Sequence, residues 1–479
     1  MAMRVLSVAS EAYPLVKTGG LADVAGALPA ALAPHGIAIT TLIPAYPAVK
    51  AKVGRTRRLH SYDDLLGVKA RLVAATVDGQ PFILLDAPAL FSREGGPYAD
   101  SSGRDWDDNW RRFAALSRAA ADLASGAVGK GFDLLHAHDW QAGLAPAYLR
   151  YACPRHIPSL MTIHNMAFQG QFDAALFPRL GLPDEAWAVD GVEYYGGIGM
   201  LKAGMACASA ISTVSPTYAR EIRQGEFGMG LEGLVRARES EVHGILNGID
   251  PAIWNPATDP LIPVRYTART LAKRTANRHA VESAFALDHD AHPLFVVISR
   301  LTWQKGMDVL ADCLDALVGM GGKLALLGSG DPALEGAFVA ASHRHPGRIG
   351  VRIGYDEPLS HLLQAGGDAI LIPSRFEPCG LTQLYGLAYG CVPVVARTGG
   401  LADSVIDANE AAISNGVATG IQFDGVNGEV LTSALARTIK CHADRSLWET
   451  VQKQGMRADF SWTASGARYA SVYRALTKG

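Results

Sequence analysis

Lys17-Thr18-Gly19-Gly20-Leu21-Ala22-Asp23 returns near the other end of the chain as Arg397-Thr398-Gly399-Gly400-Leu401-Ala402-Asp403. Only the first residue differs, and both versions are cationic. Each copy follows a short apolar run and opens a helical pattern, so each reads as a strand-to-helix turn. A match over seven residues points to two similar halves. Outward from the first copy, apolar runs at 5–9, 37–43, 134–138, 159–164, 211–214 and 242–246 read as strands. Helical patterns at 21–33, 107–123 and 141–150 fall between them, and such alternation predicts βαβ units around a parallel sheet. Residues 255–270, rich in Pro and Thr, read as a linker. The same grammar then restarts, with strands expected at 294–299, 323–327, 351–354, 369–373 and 392–396. At 479 residues the chain has room for two large domains. The expected architecture is α/β: two doubly wound domains facing a deep cleft, with ligands beyond the strand carboxyl ends.

Composition narrows the function. A hydrophobic fraction of 49% with 19% charged residues is that of a globular chain. A net charge of −2 gives no footprint for nucleic acid. The one basic knot, Lys52, Arg55, Arg57, Arg58 and His60, reads as a solvated face. Six cysteines lie far apart without a Cys-x-x-Cys pair, as in a reduced, cytoplasmic protein. The N-terminus reads as a first strand and not as a signal peptide. The uncharged run 378–396 is broken by Gly380, Gln383, Gly386, Gly390 and Pro393, which fits a buried helix and strand better than a membrane span.

Four clusters carry chemistry. In the Lys17 loop, glycines permit close ligand approach, the helix start favours an anion, and Lys17 adds a point charge. The alternative is a turn that only caps a helix. Ser299-Arg300-Leu301-Thr302-Trp303-Gln304-Lys305-Gly306 ends a strand, where Arg300 and Lys305 suit a diphosphate, or else a salt-bridged strand end. Ser374-Arg375-Phe376-Glu377-Pro378-Cys379-Gly380-Leu381-Thr382 sets a carboxylate before a helix start. There Glu377 suits a developing sugar cation, or simply the helix dipole. His136-Ala137-His138-Asp139-Trp140 and Thr162-Ile163-His164-Asn165 both end apolar strands. His-x-His raises a metal-dependent hydrolase as a rival, although no further ligand set with metal spacing accompanies it. The pairs Asp105/Asp107 and Asp288/Asp290 read as surface acids.

Together with Gln304-Lys305-Gly306 and Pro373 to Leu381, these motifs run in order along nearly the whole chain. In that order they resemble the bacterial glycogen synthases and plant starch synthases, glycosyltransferase family 5. The resemblance implies a GT-B fold of two Rossmann-like domains: 1–250 on the acceptor side, 251–459 for the nucleotide sugar, and a helix at 460–479 crossing back. It implies ADP-glucose as donor, the non-reducing end of an α-1,4-glucan as acceptor, retention of configuration, and no cofactor or essential metal. By matching motif, Arg300 and Lys305 would hold the diphosphate, and Gly380, Leu381 and Thr382 would present donors to phosphate. Tyr355 would stack on adenine, while Glu377 and Cys379 would sit against glucose. Lys17, Gly19, Gly20, Asp23, Glu11, Asp139, His164, Asn165 and Asn247 would close over the donor, with Tyr98 on the sugar or acceptor side. Many retaining GT-B enzymes carry a second Glu eight residues after the first; here that position is Tyr385.

These roles lead to an expected front-face attack by the acceptor hydroxyl, with the departing phosphate oxygen taking its proton and the His164 carbonyl steadying the sugar cation. The rivals are the same fold using UDP-glucose, a silent glucan-binding protein, and the metal hydrolase.

Overall fold

The apolar runs pair as parallel strands in two separate sheets. A computed structural model describes residues 2–478. Two units result: residues up to Gly248 together with those from Trp462 onward, and Ile249–Ser461.

The first unit contains β1 (Met3–Val8), β2 (Ile37–Pro44), β3 (Arg57–Tyr62), β4 (Ala70–Val77), β5 (Gln80–Asp86), β6 (Leu134–His138), β7 (Ser159–Ile163), β8 (Gln171–Phe172), β9 (Glu193–Tyr194), β10 (Gly197–Gly199), β11 (Ala210–Thr213) and β12 (Val242–Gly244). Its main sheet runs β12-β11-β7-β6-β1-β2-β5-β4-β3, and β8, β10 and β9 form a small separate sheet. From β12 to β5 the main-sheet pairings are parallel, whereas β4 and β3 add on antiparallel. The addition was not expected from the apolar runs. It absorbs the basic knot: Arg57 and Arg58 lie exposed on the outermost strand, where charge discourages edge-to-edge pairing.

The helix Gly20–Leu32 buries Val24, Leu28 and Leu32 in a cluster with Val5 and Ile39. Tyr469 and Tyr473 of the last helix, Trp462–Thr477, complete that cluster, both with no exposed surface. Full burial of side chains this size contributes about 1.5–3 kcal/mol each, which fixes the terminal helix to the first unit. The boundary falls at Gly248/Ile249 because Ile249 packs with Leu384 and Leu387, and its N–H bonds the Phe460 carbonyl at 2.8 Å.

The second unit's sheet comprises β13 (Leu294–Leu301), β14 (Lys323–Gly330), β15 (Ile349–Ile353), β16 (Ala369–Ile372), β17 (Val392–Ala396) and β18 (Ile421–Phe423). They run β15-β14-β13-β16-β17-β18, all parallel. Alternate residues of β13 enter different layers. Phe295 and Val297 pack with Leu310, Leu314 and Phe338, while Leu294 and Val296 pack with Val281 and Leu363. Burial on both faces explains why the strands read as continuous apolar runs.

Residues 255–270 are not a spacer. They form an irregular segment of the second unit, with Tyr266 and Asp259 buried. Asp259 Oδ2 accepts from Tyr389 Oη at 2.6 Å and lies 2.8 Å from His361 Nδ1. Among the described residues, no helix is long and apolar enough to cross a membrane.

Candidate active site

Strand order decides where each unit gathers its polar residues. In the second unit β13 lies between β14 and β16, so the chain leaves its carboxyl end in opposite directions around the β13/β16 edge. In a doubly wound sheet this switch point opens a crevice. The segment after β13 supplies Lys305, and the segment after β16 supplies Glu377. Lys305 Nζ is 2.5 Å from Glu377 Oε2, which also accepts from Ser374 Oγ at 2.9 Å. The side chains are 16% and 10% exposed, so this is a nearly buried, hydrogen-bonded pair.

Further contacts hold the two loops together. Arg375 N–H bonds the Gln304 carbonyl at 2.9 Å, and Gln304 Nε2 bonds the Phe376 carbonyl at 3.2 Å. The Arg375 guanidinium makes two 2.7 Å bonds to Asp308 and lies over the Trp303 ring. Arg375 is thus a brace, while Arg300, the penultimate residue of β13, is exposed and its guanidinium meets no partner among the described residues.

Cys379 is buried. Its carbonyl and that of Gly380 accept from Gln383 Nε2, both at 3.0 Å. Gly380 has φ +71, a left-handed turn suited to glycine, and leads through Leu381 into the helix Thr382–Tyr389. Tyr355, just beyond β15, is 75% exposed; β14 separates its strand from β13. Tyr385 stacks on Trp254 with ring centroids 3.6 Å apart, so the position that carries a second Glu in other retaining enzymes is here part of an aromatic stack.

The repeated loops differ in what surrounds them. In the second copy Gly400 N–H bonds the Glu377 carbonyl at 3.1 Å, and Gly399 has φ +45. A Cβ on Gly399 would overlap the Glu377 carbonyl oxygen, and one on Gly400 the Cys379 carbonyl oxygen. These glycines let the second copy pack beneath the Glu377 segment. Around Gly19 and Gly20 a Cβ would meet nothing within 4 Å, and neither has positive φ. Local packing therefore gives no reason for glycine in the first copy. That copy opens its helix after an eleven-residue segment (9–19), close to the connection expected between strand 5–9 and helix 21–33.

The first unit's switch point lies between β1 and β6. Glu11, beyond β1, is buried and anchors the Lys17 loop. It accepts from the Thr18 backbone N–H, from Thr18 Oγ1 at 3.0 Å and from Tyr98 Oη at 3.2 Å. Burial raises its pKa, with the Thr18 bonds opposing. Tyr98 Oη also lies 2.8 Å from Ser10 Oγ. Lys17, expected as a mobile charge, is paired with Asp23 at 2.8 Å.

Asp139 follows β6 directly, at φ +54, and accepts the His164 N–H at 2.7 Å. Burial pushes its pKa up to about 7, against the bonds from His164 and Asn165 backbone N–H and helped by the nearby Glu11 charge. His164 Nε2 lies 3.0 Å from His138 Nδ1, whose other nitrogen lies 3.1 Å from Ser7 Oγ. His136 is bonded through both ring nitrogens, to Tyr473 Oη and Thr162 Oγ1, each at 2.6 Å. Burial depresses the pKa of all three histidines, His136 and His164 to about 3. With both nitrogens of His136 and His138 engaged inside the protein, the His-x-His pair has no lone pair to offer a metal. Asn165 Oδ1 accepts from the Ala167 N–H at 3.0 Å. Asn247, past β12, is buried, and its Oδ1 meets no donor among the described residues.

Sequence reasoning named neither Ser374 and Gln383 as the residues that hold the Glu377 segment, nor His138 as the neighbour of His164. The only signal was that Ser374 and His138 stand inside the quoted motifs and that Gln383 directly follows one.

The starch synthase catalytic domain family model matches residues 4–237. A glycogen synthase of Novosphingobium aromaticivorans is 66% identical, covering 99% of each chain, and one of Mesorhizobium japonicum is 59% identical over the same shares. The solved catalytic domain of starch synthase IV from Arabidopsis thaliana, bound to ADP and acarbose, superposes with a TM-score of 0.89 at 32% identity, covering 100% of both chains. A sucrose-phosphate synthase from Thermosynechococcus elongatus, at 17% identity and TM-score 0.60 over 99% of each chain, shares the fold.

Proposed function

The chain belongs to the glycogen and starch synthase family of glucosyltransferases, with the GT-B fold, and from that premise we propose that it transfers glucose from ADP-glucose to the non-reducing 4-hydroxyl of an α-1,4-glucan, retaining the α configuration. The observation that carries the reading is the Lys305–Glu377 pair at the second unit's switch point, with the exposed Arg300 on the adjoining strand.

Departure of ADP leaves negative charge on the β-phosphate oxygen, and preorganised cations lower the cost of that charge most. Arg300, with a free bidentate fork, and Lys305 take this role. The backbone N–H groups of Gly380, Leu381 and Thr382 open a helix and suit phosphate oxygens. Glu377, held by Lys305 and Ser374, faces the glucose with Cys379 and favours the cationic character at C1. The acceptor hydroxyl attacks C1 on the face the phosphate leaves, and its proton passes to the departing oxygen, so no protein nucleophile is required. In the first unit, Glu11 and Tyr98 shape the Lys17 loop, and the family resemblance assigns Lys17, Gly19, Gly20, Asp23, Asp139, His164, Asn165 and Asn247 to donor binding.

The reading calls on no cofactor, since the cations supply the charge compensation. The ADP bound to the Arabidopsis structure supports an adenine nucleotide, stacked on Tyr355. A cytoplasmic location belongs to the same proposal, and six free cysteines fit a reducing compartment. Calorimetric titration with ADP tests the site: Arg300→Ala should weaken binding at least tenfold. Equal affinity in the two proteins would remove Arg300 from the diphosphate.

A further inference from the structure

We propose that His279, Glu282 and His289 form a zinc site in the second unit, on the opposite end of its sheet from Arg300. His279 and Glu282 are three residues apart on the helix Arg274–Ala284, hence on one face. The following loop returns His289, and one ligand atom from each of the three lies within 4.8 Å of the others. A tetrahedral zinc with bonds of about 2.0–2.1 Å needs ligand atoms roughly 3.4 Å apart. His289 Nδ1 and Glu282 Oε2, at 3.1 Å, already meet that spacing. Both histidines are exposed, so rotation about their side-chain bonds can bring His279 in.

Glu282 is the residue that points to an ion. Its side chain has no exposed surface, yet its two oxygens are treated differently. Oε1 accepts from Lys323 Nζ at 2.7 Å and from Arg278 Nε at 3.0 Å, whereas Oε2 is buried with no aligned hydrogen-bond donor. Lys323 also pairs with Asp290 at 2.9 Å, and Arg278 with Asp368 at 2.5 Å. Oε1 is thereby fixed by outer partners while Oε2 is left facing His289, an arrangement typical of an oriented metal-binding carboxylate. Ser283 Oγ lies 3.4 Å from His289 Nε2 and can hold the ring with Nδ1 toward Glu282.

Two imidazoles and one carboxylate select zinc over magnesium or calcium, which prefer oxygen-only shells. His289 lies five residues before β13, whereas Arg300 lies near that strand's other end, roughly 20 Å further at about 3.3 Å per residue. The ion would therefore tie the helix to the loop entering β13 and take no part in glucose transfer, so the proposal stands apart from the functional reading above.

The test uses full-length protein stripped with chelator, dialysed, and titrated with zinc sulfate by calorimetry, with magnesium chloride in parallel. One zinc equivalent should bind with micromolar affinity and raise the melting temperature by several degrees, with no response to magnesium. His279→Ala and His289→Ala should each weaken that equivalent at least tenfold, and the double variant should lose it while keeping its zinc-free melting temperature. Equal zinc stoichiometry and affinity in wild type and double variant would overturn the assignment. So would no binding by the wild type, which would leave a His289–Glu282 contact only.

Discussion

Lys305 Nζ and Glu377 Oε2 approach to 2.5 Å across 72 residues of sequence, and the pair joins the segments that follow β13 and β16. Because both groups are nearly buried, removing one strands the other. Lys305→Ala should cost about 3 kcal/mol of stability, and adding Glu377→Gln should restore much of it, since a neutral amide needs no counter-charge. Denaturant unfolding of the two single variants and the double variant measures this coupling. Additive losses would mean the pair is not a unit.

Arg300 behaves in the opposite way. It is exposed and unpartnered among the described residues, so Arg300→Ala should change stability by no more than about 0.5 kcal/mol. Transfer, however, should fall at least about 100-fold in kcat/KM if the guanidinium acts on the leaving group. Paired melting and rate measurements separate the two effects, and a large stability loss with normal rate would reverse the assignment.

The two glycine loops make a matched comparison. Gly20→Ala meets open space and should leave the melting temperature unchanged or slightly raised, while lowering kcat/KM for the donor. Gly400→Ala drives a Cβ into the Cys379 carbonyl and should cost about 1–3 kcal/mol and displace the Glu377 segment. Equal behaviour of the two variants would contradict the division into an open loop and a packed one.

Asp139 carries a pH signature. Its pKa in the folded protein is raised from 3.8 to about 7 by burial, so the folded state holds a proton that the unfolded chain releases. Its unfavourable contribution is absent below about pH 4, grows as pH rises, and is complete above about pH 7, where it reaches on the order of 4 kcal/mol. Asp139→Asn keeps an acceptor for the His164 N–H and tolerates φ +54, so it should be more stable than wild type at pH 8 and nearly equal at pH 4. Its transfer rate should fall. A pH-independent stability difference would refute the buried-acid account.

How far the sequence carried depends on how local the cause is. The buried parallel strands, such as Leu134–His138 and Ser159–Ile163, were legible because burial on both faces leaves unbroken apolar runs. The antiparallel addition was not, since Arg57–Tyr62 is mostly exposed and its residues signal only charge. The Pro- and Thr-rich stretch 255–270 looked like a linker because Asp259 gains its partners, His361 and Tyr389, from more than 100 residues away. At the site, Arg300, Lys305 and Glu377 were legible as motif residues. That Glu11 anchors the Lys17 loop, and that Arg375 is a brace on Asp308, depends on loop paths that no motif encodes. The zinc ligands were hidden for the same reason: His289 joins His279 and Glu282 only through the turn after the helix.

The most direct measurement is incorporation of labelled glucose into glycogen from ADP-glucose and UDP-glucose in parallel, with chelator present, by the wild type and Glu377→Gln. The account predicts α-1,4-linked label from ADP-glucose, far less from UDP-glucose, and a severe loss in the variant. Undiminished transfer by Glu377→Gln, or donor hydrolysis without glucan extension, would contradict it.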